Sequence, residues 1–316
     1  MAQGSRLRAQ GSRLLVAAAA VALLTSTGRA GQPETPDEAN RALAGAVDIH
    51  VHSAPDDRPR SIDAVDVAKL ARSRGMRAIV LKNHFEPTAS LAYVVRKVVP
   101  DLEVFGGIDL NLTVGGINPA AVEHMTKVSG GWGRLVWMPT FDAENQVRYS
   151  KENRSFVSVA RDGALVPEVA QVISLIARHN LVLATGHSAP EEGLMLVREG
   201  RRQGVQHMVV THAMNPPILM TVSQMKEAAA MGAFIEFVVG SMADADAGAR
   251  VRRFAEAIRQ IGPASCILSS DLGQAGNPLP PDGFGGFLVA MREQGFGEQE
   301  IGRMSKENPA QLLGLR

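Results

Sequence analysis

The chain has 316 residues, 45% of them hydrophobic, enough apolar surface for one large domain or two modest ones. Its 33 basic residues against 32 acidic ones leave a formal charge of +1, and aromatics make up 4%, a composition that excludes a basic, base-stacking nucleic-acid surface and offers no electrostatic hold on an anionic membrane. Cys266 is the single cysteine, which rules out an internal disulfide and a cysteine-based metal site and leaves it a small buried core residue.

Residues 1–30 differ from the rest. Arg6, Arg8 and Arg13 flank an apolar run from Leu14 to Leu24 that is too short to span a bilayer, and small and polar residues lead to Ala30. This reads as a secretory signal peptide, with an uncleaved leader as the alternative, and predicts a secreted or periplasmic protein with no membrane anchor in its mature form. No cysteine follows the run for lipid attachment, and the arginines are not adjacent as in a twin-arginine signal. Residues 31–46 form a lead-in whose polar start, GQPETPDEANR, is expected to be poorly ordered.

From Val47 onward, short Val-, Ile- and Leu-rich runs alternate with segments of helical periodicity, the rhythm of βα units around a parallel sheet. The strand candidates in chain order are VDIHVH from Val47, MRAIVLK from Met76, EVFGGIDL from Glu103, RLVWMP from Arg134, LVLATGH from Leu181, HMVVTH from His207, AFIEFVV from Ala233 and CILSSD from Cys266. The helices between them have readable ends. One opens at Ser61 and stops at Gly75; another has Pro167 in its first turn and Asn180 after its last; two more start at Ala189 and Thr221 and close on glycines. Eight such units over about 270 residues match the usual length of a (β/α)8 barrel, about 250, and predict an α/β fold with a single barrel domain over 47–316. A doubly wound sheet is disfavoured, because neither a G-x-G-x-x-G turn nor a P-loop is present. The long polar connection from Asp142 to Gly163, after strand four, has the position of a lid or substrate loop, with a disordered insertion as the alternative.

The strand ends carry the chemistry. Strand one ends in His50 and His52, strand two in Lys82 with His84 just beyond, strand five in His187, strand six in His212 and strand eight in Asp271. Alternation puts His50 and His52 on one face of their strand. Singly, each histidine is an ordinary hydrogen-bonded residue, but five of the eight histidines gather where parallel strands of a barrel end, the face that carries barrel active sites. His124, His179 and His207 fall elsewhere and are expected to be structural. Imidazoles with a carboxylate suit a divalent metal, zinc first, with manganese, iron or nickel also compatible. His84, Arg58, Asn111 and Asn215 are the expected substrate contacts of a small-molecule pocket, with Asp56, Arg60, Thr140 and Glu236 nearby. Glu236 needs a partner if it faces inward, because an unpaired buried carboxylate is costly.

This ordered set resembles the amidohydrolase superfamily from Asp48 to Leu315. It has an H-x-H ending strand one, single histidines ending strands five and six, an aspartate ending strand eight and a closing NPAQLLGL from Asn308. SSDLGQAGNP looks like the phosphotriesterase- and lactonase-like branch, and the whole chain resembles an uncharacterised amidohydrolase-related family. The resemblance implies a hydrolase that uses metal-activated water on an amide, lactone or other ester bond, with one or two ions per chain. It implies that His50, His52 and Asp271 hold one ion, that His187 and His212 hold a second where one is present, and that Asp271 accepts the water's proton. The chain departs from the pattern at strand four, which offers no lysine or glutamate to bridge two metals. Lys82 is the one lysine at a strand end, and it is open to three roles: a carboxylated bridging ligand, a catalytic cation touching substrate, or a partner for Asp109. Phosphoesterases related to polymerase and histidinol phosphatase also combine H-x-H with a histidine on strand two, and are the alternative along with a barrel that binds without turnover.

Overall fold

A computed structural model describes residues 36–240 and 246–315, so the predicted signal peptide lies outside the described residues. Among the described residues ten strands are present: β1 Val47–His52, β2 Ala78–Lys82, β3 Glu103–Asp109, β4 Gly133–Trp137, β5 Ala160–Arg161, β6 Ala164–Leu165, β7 Val182–Ala184, β8 His207–Val210, β9 Phe234–Val238 and β10 Cys266–Ser269. All but β5 and β6, which pair with each other, form one parallel eight-stranded sheet in the order β1-β2-β3-β4-β7-β8-β9-β10. A parallel bridge from Val51 to Leu272 and the bond from His52 N to Leu272 O, 2.8 Å, bring its first and last strands together. All eight predicted strands are found in this (β/α)8 barrel.

Alternation within the strands sorts the core into two layers. Val47, Ile49, Val80, Phe105, Leu135, Trp137, Val182, Val209 and Ile267 pack together inside the barrel, whereas Ile79, Leu81, Val104, Val136, Leu183, Val210 and Leu268 belong to the layer shared with the helices. Burial on both faces is why these strands read as near-continuous apolar runs. Ala310, Leu312 and Leu313 of the closing motif join the inner cluster, and Asn308 Nδ2 donates to the carbonyls of Pro263 (2.8 Å) and Cys266 (2.7 Å) at the start of β10. The motif therefore plugs the end of the barrel opposite the histidines.

Among the described residues twelve helices accompany the sheet: α1 Pro36–Leu43, α2 Ala64–Ser73, α3 Ala89–Val98, α4 Pro119–Thr126, α5 Glu144–Tyr149, α6 Pro167–Arg178, α7 Pro190–Arg202, α8 Val222–Ala230, α9 Ala247–Ile261, α10 Pro280–Glu293, α11 Glu298–Gly302 and α12 Asn308–Leu312. Helix α2 starts later than Ser61 because Asp63 caps it, its carboxylate accepting the amides of Val65 and Asp66, both at 2.9 Å. Thr221 caps α8 in a reciprocal box with Gln224. Residues 31–35 of the lead-in lie outside the described residues, and from Pro36 the expectation of poor order is corrected: α1 is helical, buries Ala42 and Leu43, and lies close enough to α10 that a Cβ on Gly285 would meet Ala39 Cβ at 3.1 Å. Its polar composition hid a short apolar stripe. No helix among the described residues is long and apolar enough to cross a membrane.

Candidate active site

A bulge in β1 sets the first two ligand candidates. Val47 and Asp48 pair with Ala78 and Ile79, but Val51 and His52 pair with Leu81 and Lys82, so β1 uses one residue more than β2 over the same length. Simple alternation, expected from the sequence, would keep Asp48 on the face of His50 and His52. Instead Ile49 belongs to the inner cluster, and Asp48 Oδ1 accepts the amides of His50 (3.1 Å) and Ser270 (3.0 Å), tying β1 to the end of β10. Burial pushes the Asp48 carboxyl up to about 6 against the pull of these hydrogen bonds.

The side chains then converge. His50 Nε2 and His52 Nε2 stand 3.1 and 3.2 Å from Asp271 Oδ1, and the potential ligand atoms of these three residues all lie within 4.8 Å of one another. Glu236 faces inward with its partners in place: Oε1 lies 3.1 Å from His50 Nδ1 and accepts the Ser269 hydroxyl at 2.6 Å, while Oε2 accepts the His212 amide at 2.9 Å. His212 Nε2 and His187 Nε2 face each other at 3.2 Å. His212 (φ 24°) and Asp271 (φ 51°) both occupy the left-handed region, where residues with a side chain are uncommon and which tertiary structure must enforce. The amide of Asp271 donates to His50 O at 2.9 Å and Gln274 Nε2 donates to Asp271 O at 2.9 Å, which holds the turn. Gly273 follows with φ +125°, and a Cβ there would sit 1.9 Å from His52 O.

The charges sort the histidines. Burial works against protonating His50, but the carboxylates of Asp271 and Glu236 outweigh it and lift its pKa to about 9. Burial holds His52 at about 3 and His212 at about 4. Burial also keeps His84 and His187 well below the usual histidine range, helped by the positive charge of Lys82 and, for His187, by His212. Burial opposes ionisation of Asp271 and Glu236, yet the neighbouring His50 leaves both below the normal carboxylate value.

A second network lies beside this cluster. Lys82 Nζ is 3.3 Å from Asp109 Oδ2, which realises the pairing considered for it. The Thr140 hydroxyl donates to Asp109 Oδ2 at 2.9 Å and receives Asn111 Nδ2 at 2.7 Å and His84 Nδ1 at 2.9 Å. Asn111 Nδ2 also donates to His84 O (2.7 Å), and its Oδ1 accepts the amides of Thr140 (2.8 Å) and Asp142 (3.1 Å). The substrate-contact expectation for Asn111 is thereby corrected: both donors and both acceptor sites are spent within the protein. Asn111→Ala is expected to cost roughly 2–4 kcal/mol of stability, read from denaturant melts, by leaving several buried groups unpaired; an unchanged midpoint would contradict this role.

Asn215 lines the cavity with a buried, unpartnered Oδ1, as a substrate contact would. Arg58 stands outside the lining, with its guanidinium carbon 4.9 and 4.7 Å from the ring centroids of Phe85 and Phe141 and its Nε bonded to Asp57. Asp56 and Arg60 form a buried ion pair at 2.6 Å.

The long connection after β4 is ordered, built from α5 and the β5–β6 pair. It reaches the site through Gln146, whose Oε1 accepts the Nδ1 hydrogen of His187 at 2.8 Å, and through Asn145 Nδ2, which donates to the carbonyls of His187 and Pro217 at 3.1 Å each. Sequence reasoning missed Gln146, since nothing local marks it. If His187 takes part in the site chemistry, Gln146→Ala is expected to weaken metal affinity or turnover about 10-fold, the lower end for a residue that orients a functional imidazole. Metal titration and kinetics indistinguishable from wild type would show that His187 keeps its pose without it.

Lys82, His84, His187, His212, Asn215 and Asp271 are among the residues that line a cavity of about 280 Å³ at the carboxyl ends of the strands. Residues 45–236 match the model of a family of unknown function, DUF6282. The chain belongs to that family. No curated protein matches this DUF6282 chain. Solved structures do: an amidohydrolase from Pseudomonas aeruginosa at 13% identity and TM-score 0.60 covers 87% of this chain and 98% of its own. An amidohydrolase from Burkholderia multivorans with bound zinc matches at 14% and 0.61 over 86% of this chain and all of its own (100%), and an organophosphorus hydrolase from Deinococcus radiodurans at 15% and 0.56 over 86% and 94%. The DUF6282 chain has the fold of these proteins.

The donor set of this DUF6282 member fits a divalent cation. Glu236 can only accept at His50 Nδ1, so that nitrogen carries hydrogen, and the raised pKa of His50 puts a second hydrogen on Nε2, which faces Asp271 Oδ1 3.1 Å away. A divalent cation can take the place of that proton between the imidazole nitrogen and the carboxylate oxygen. His52 Nε2 approaches the same oxygen. A ligating histidine with its other nitrogen on a carboxylate is the arrangement that fixes the ring for a metal.

Proposed function

We propose that this chain is a metal-dependent hydrolase of a small molecule, cleaving an amide, lactone or other ester bond. His50, His52 and Asp271 would hold its divalent ion, zinc first by donor chemistry, with His187 and His212 beside it. The observation that carries the reading is the approach of two imidazole nitrogens to one carboxylate oxygen at 3.1 and 3.2 Å, beneath a cavity of about 280 Å³. When bound, the ion supplies Lewis acidity, polarising the scissile carbonyl and lowering the pKa of a water.

The protein's own groups do the rest. Glu236 orients His50, and Asp271, whose Oδ1 lies 3.1 and 3.2 Å from the two imidazoles, is the carboxylate placed to take the proton of the attacking water. Neutral His84 gives its Nδ1 hydrogen to Thr140 and leaves Nε2 as an acceptor. A cavity of this size suits a compact substrate. The phosphoesterase alternative needs a further ligand from β3, but the carboxylate at its carboxyl end, Asp109, is already engaged by Thr140 and Lys82.

A panel of lactones, aryl esters, amides and p-nitrophenyl phosphates, run with zinc- or manganese-loaded protein, tests the proposal. Hydrolysis of a carbonyl substrate that is lost on chelation is the expected result. Preference for the phosphates, or metal binding with no turnover of any class, would overturn it.

A further inference from the structure

Lys82 is among the largest fully buried side chains, 1% exposed, yet it is on the wall of the cavity with His50, His84 and Asp271. Among the described residues its one counter-charge is Asp109, whose Oδ2 is 3.3 Å from Nζ, and the Trp137 ring centroid is 5.3 Å away. Carboxylation would turn the ammonium into an anion beside the Asp109 carboxylate, replacing attraction by repulsion where little water screens it. Asp109 Oδ2 already accepts the Thr140 hydroxyl, so the network is built around a carboxylate that faces a cation. An ammonium has three donors, and Asp109 can occupy only part of them.

We propose that Lys82 remains an uncarboxylated ammonium and acts as the fixed second cation of the site. It would receive the substrate's carbonyl oxygen as that oxygen gains charge, while the site takes one divalent ion. The inference rests on the hydrolase reading above and deepens it. In the step concerned, the water oxygen bonds to the carbonyl carbon, its proton passes to Asp271, and the carbonyl π pair moves onto the oxygen that Lys82 holds. Collapse then expels the alkoxide or amine, which takes the proton from Asp271. A preorganised donor at a developing oxyanion contributes about 10²–10³ in rate.

The test combines metal content by elemental mass spectrometry for wild type, Lys82→Arg and Lys82→Met with 13C NMR of wild type equilibrated in labelled bicarbonate. One ion per chain is expected in all three, with no carbamate resonance. In Lys82→Met kcat is expected to fall about 10²–10³-fold with little change in KM, and Lys82→Arg, which keeps the charge but cannot be carboxylated, recovers part of it. Two ions in wild type, a carbamate signal and loss of metal in Lys82→Arg would make Lys82 a ligand and overturn the inference while the hydrolase reading stands. One ion with unchanged kcat in Lys82→Met would overturn its catalytic part. Wild type that binds one ion but hydrolyses nothing would instead sink the hydrolase reading, and the oxyanion role with it. Should Lys82→Met not fold, Lys82→Arg and the wild-type spectrum still decide.

Discussion

Asp271→Asn is expected to weaken metal binding sharply and to lower kcat/KM about 10²–10⁴-fold while the protein stays folded. The carboxylate oxygen is the point on which His50 and His52 converge, and an amide has neither its charge nor its capacity to take a proton. Asparagine tolerates the left-handed backbone that Asp271 adopts at φ 51°, so the turn into Leu272 and Gly273 survives the exchange. The loss therefore reports chemistry rather than misfolding. Chelator competition, steady-state kinetics and a thermal melt on the same preparation separate the two, and wild-type turnover at saturating substrate would remove Asp271 from the role of base.

Glu236→Gln is the second large effect. The carboxylate accepts from His50 Nδ1, the Ser269 hydroxyl and the His212 amide, three donors that approach from β1, β10 and the turn after β8. An amide of the same shape must present NH2 to one of them, setting donor against donor. Metal affinity is expected to fall about 10–100-fold as His50 loses its fixed tautomer, and stability by about 1–3 kcal/mol for the buried donor left unpaired. Affinity equal to wild type would mean that the barrel, not Glu236, sets the His50 ring.

Much of this was legible in the sequence because of what a parallel barrel demands. Strands buried on both faces must be apolar throughout, so VDIHVH, MRAIVLK and CILSSD stood out, and the histidines that interrupt their ends marked the one face where polar side chains are tolerated. What stayed hidden depends on contacts that no local pattern records. The bulge in β1 is fixed by Asp48 reaching Ser270, 222 positions away, and the partners of Glu236 come from three other segments. Asn111 looked free to meet a substrate because its four hydrogen bonds are made to His84, Thr140 and Asp142 in neighbouring loops. The α1 helix was obscured for a different reason: polar residues dominate it, and it buries only a narrow stripe against α10.

The central claim is that one divalent ion sits among His50, His52 and Asp271. Anomalous diffraction at the zinc edge from crystals of the zinc-loaded protein tests it most directly. A peak is expected at coordination distance, about 2.0–2.2 Å, from His50 Nε2, His52 Nε2 and a carboxylate oxygen of Asp271. A loaded crystal with no peak there, or with its only strong peak elsewhere on the molecule, would contradict it.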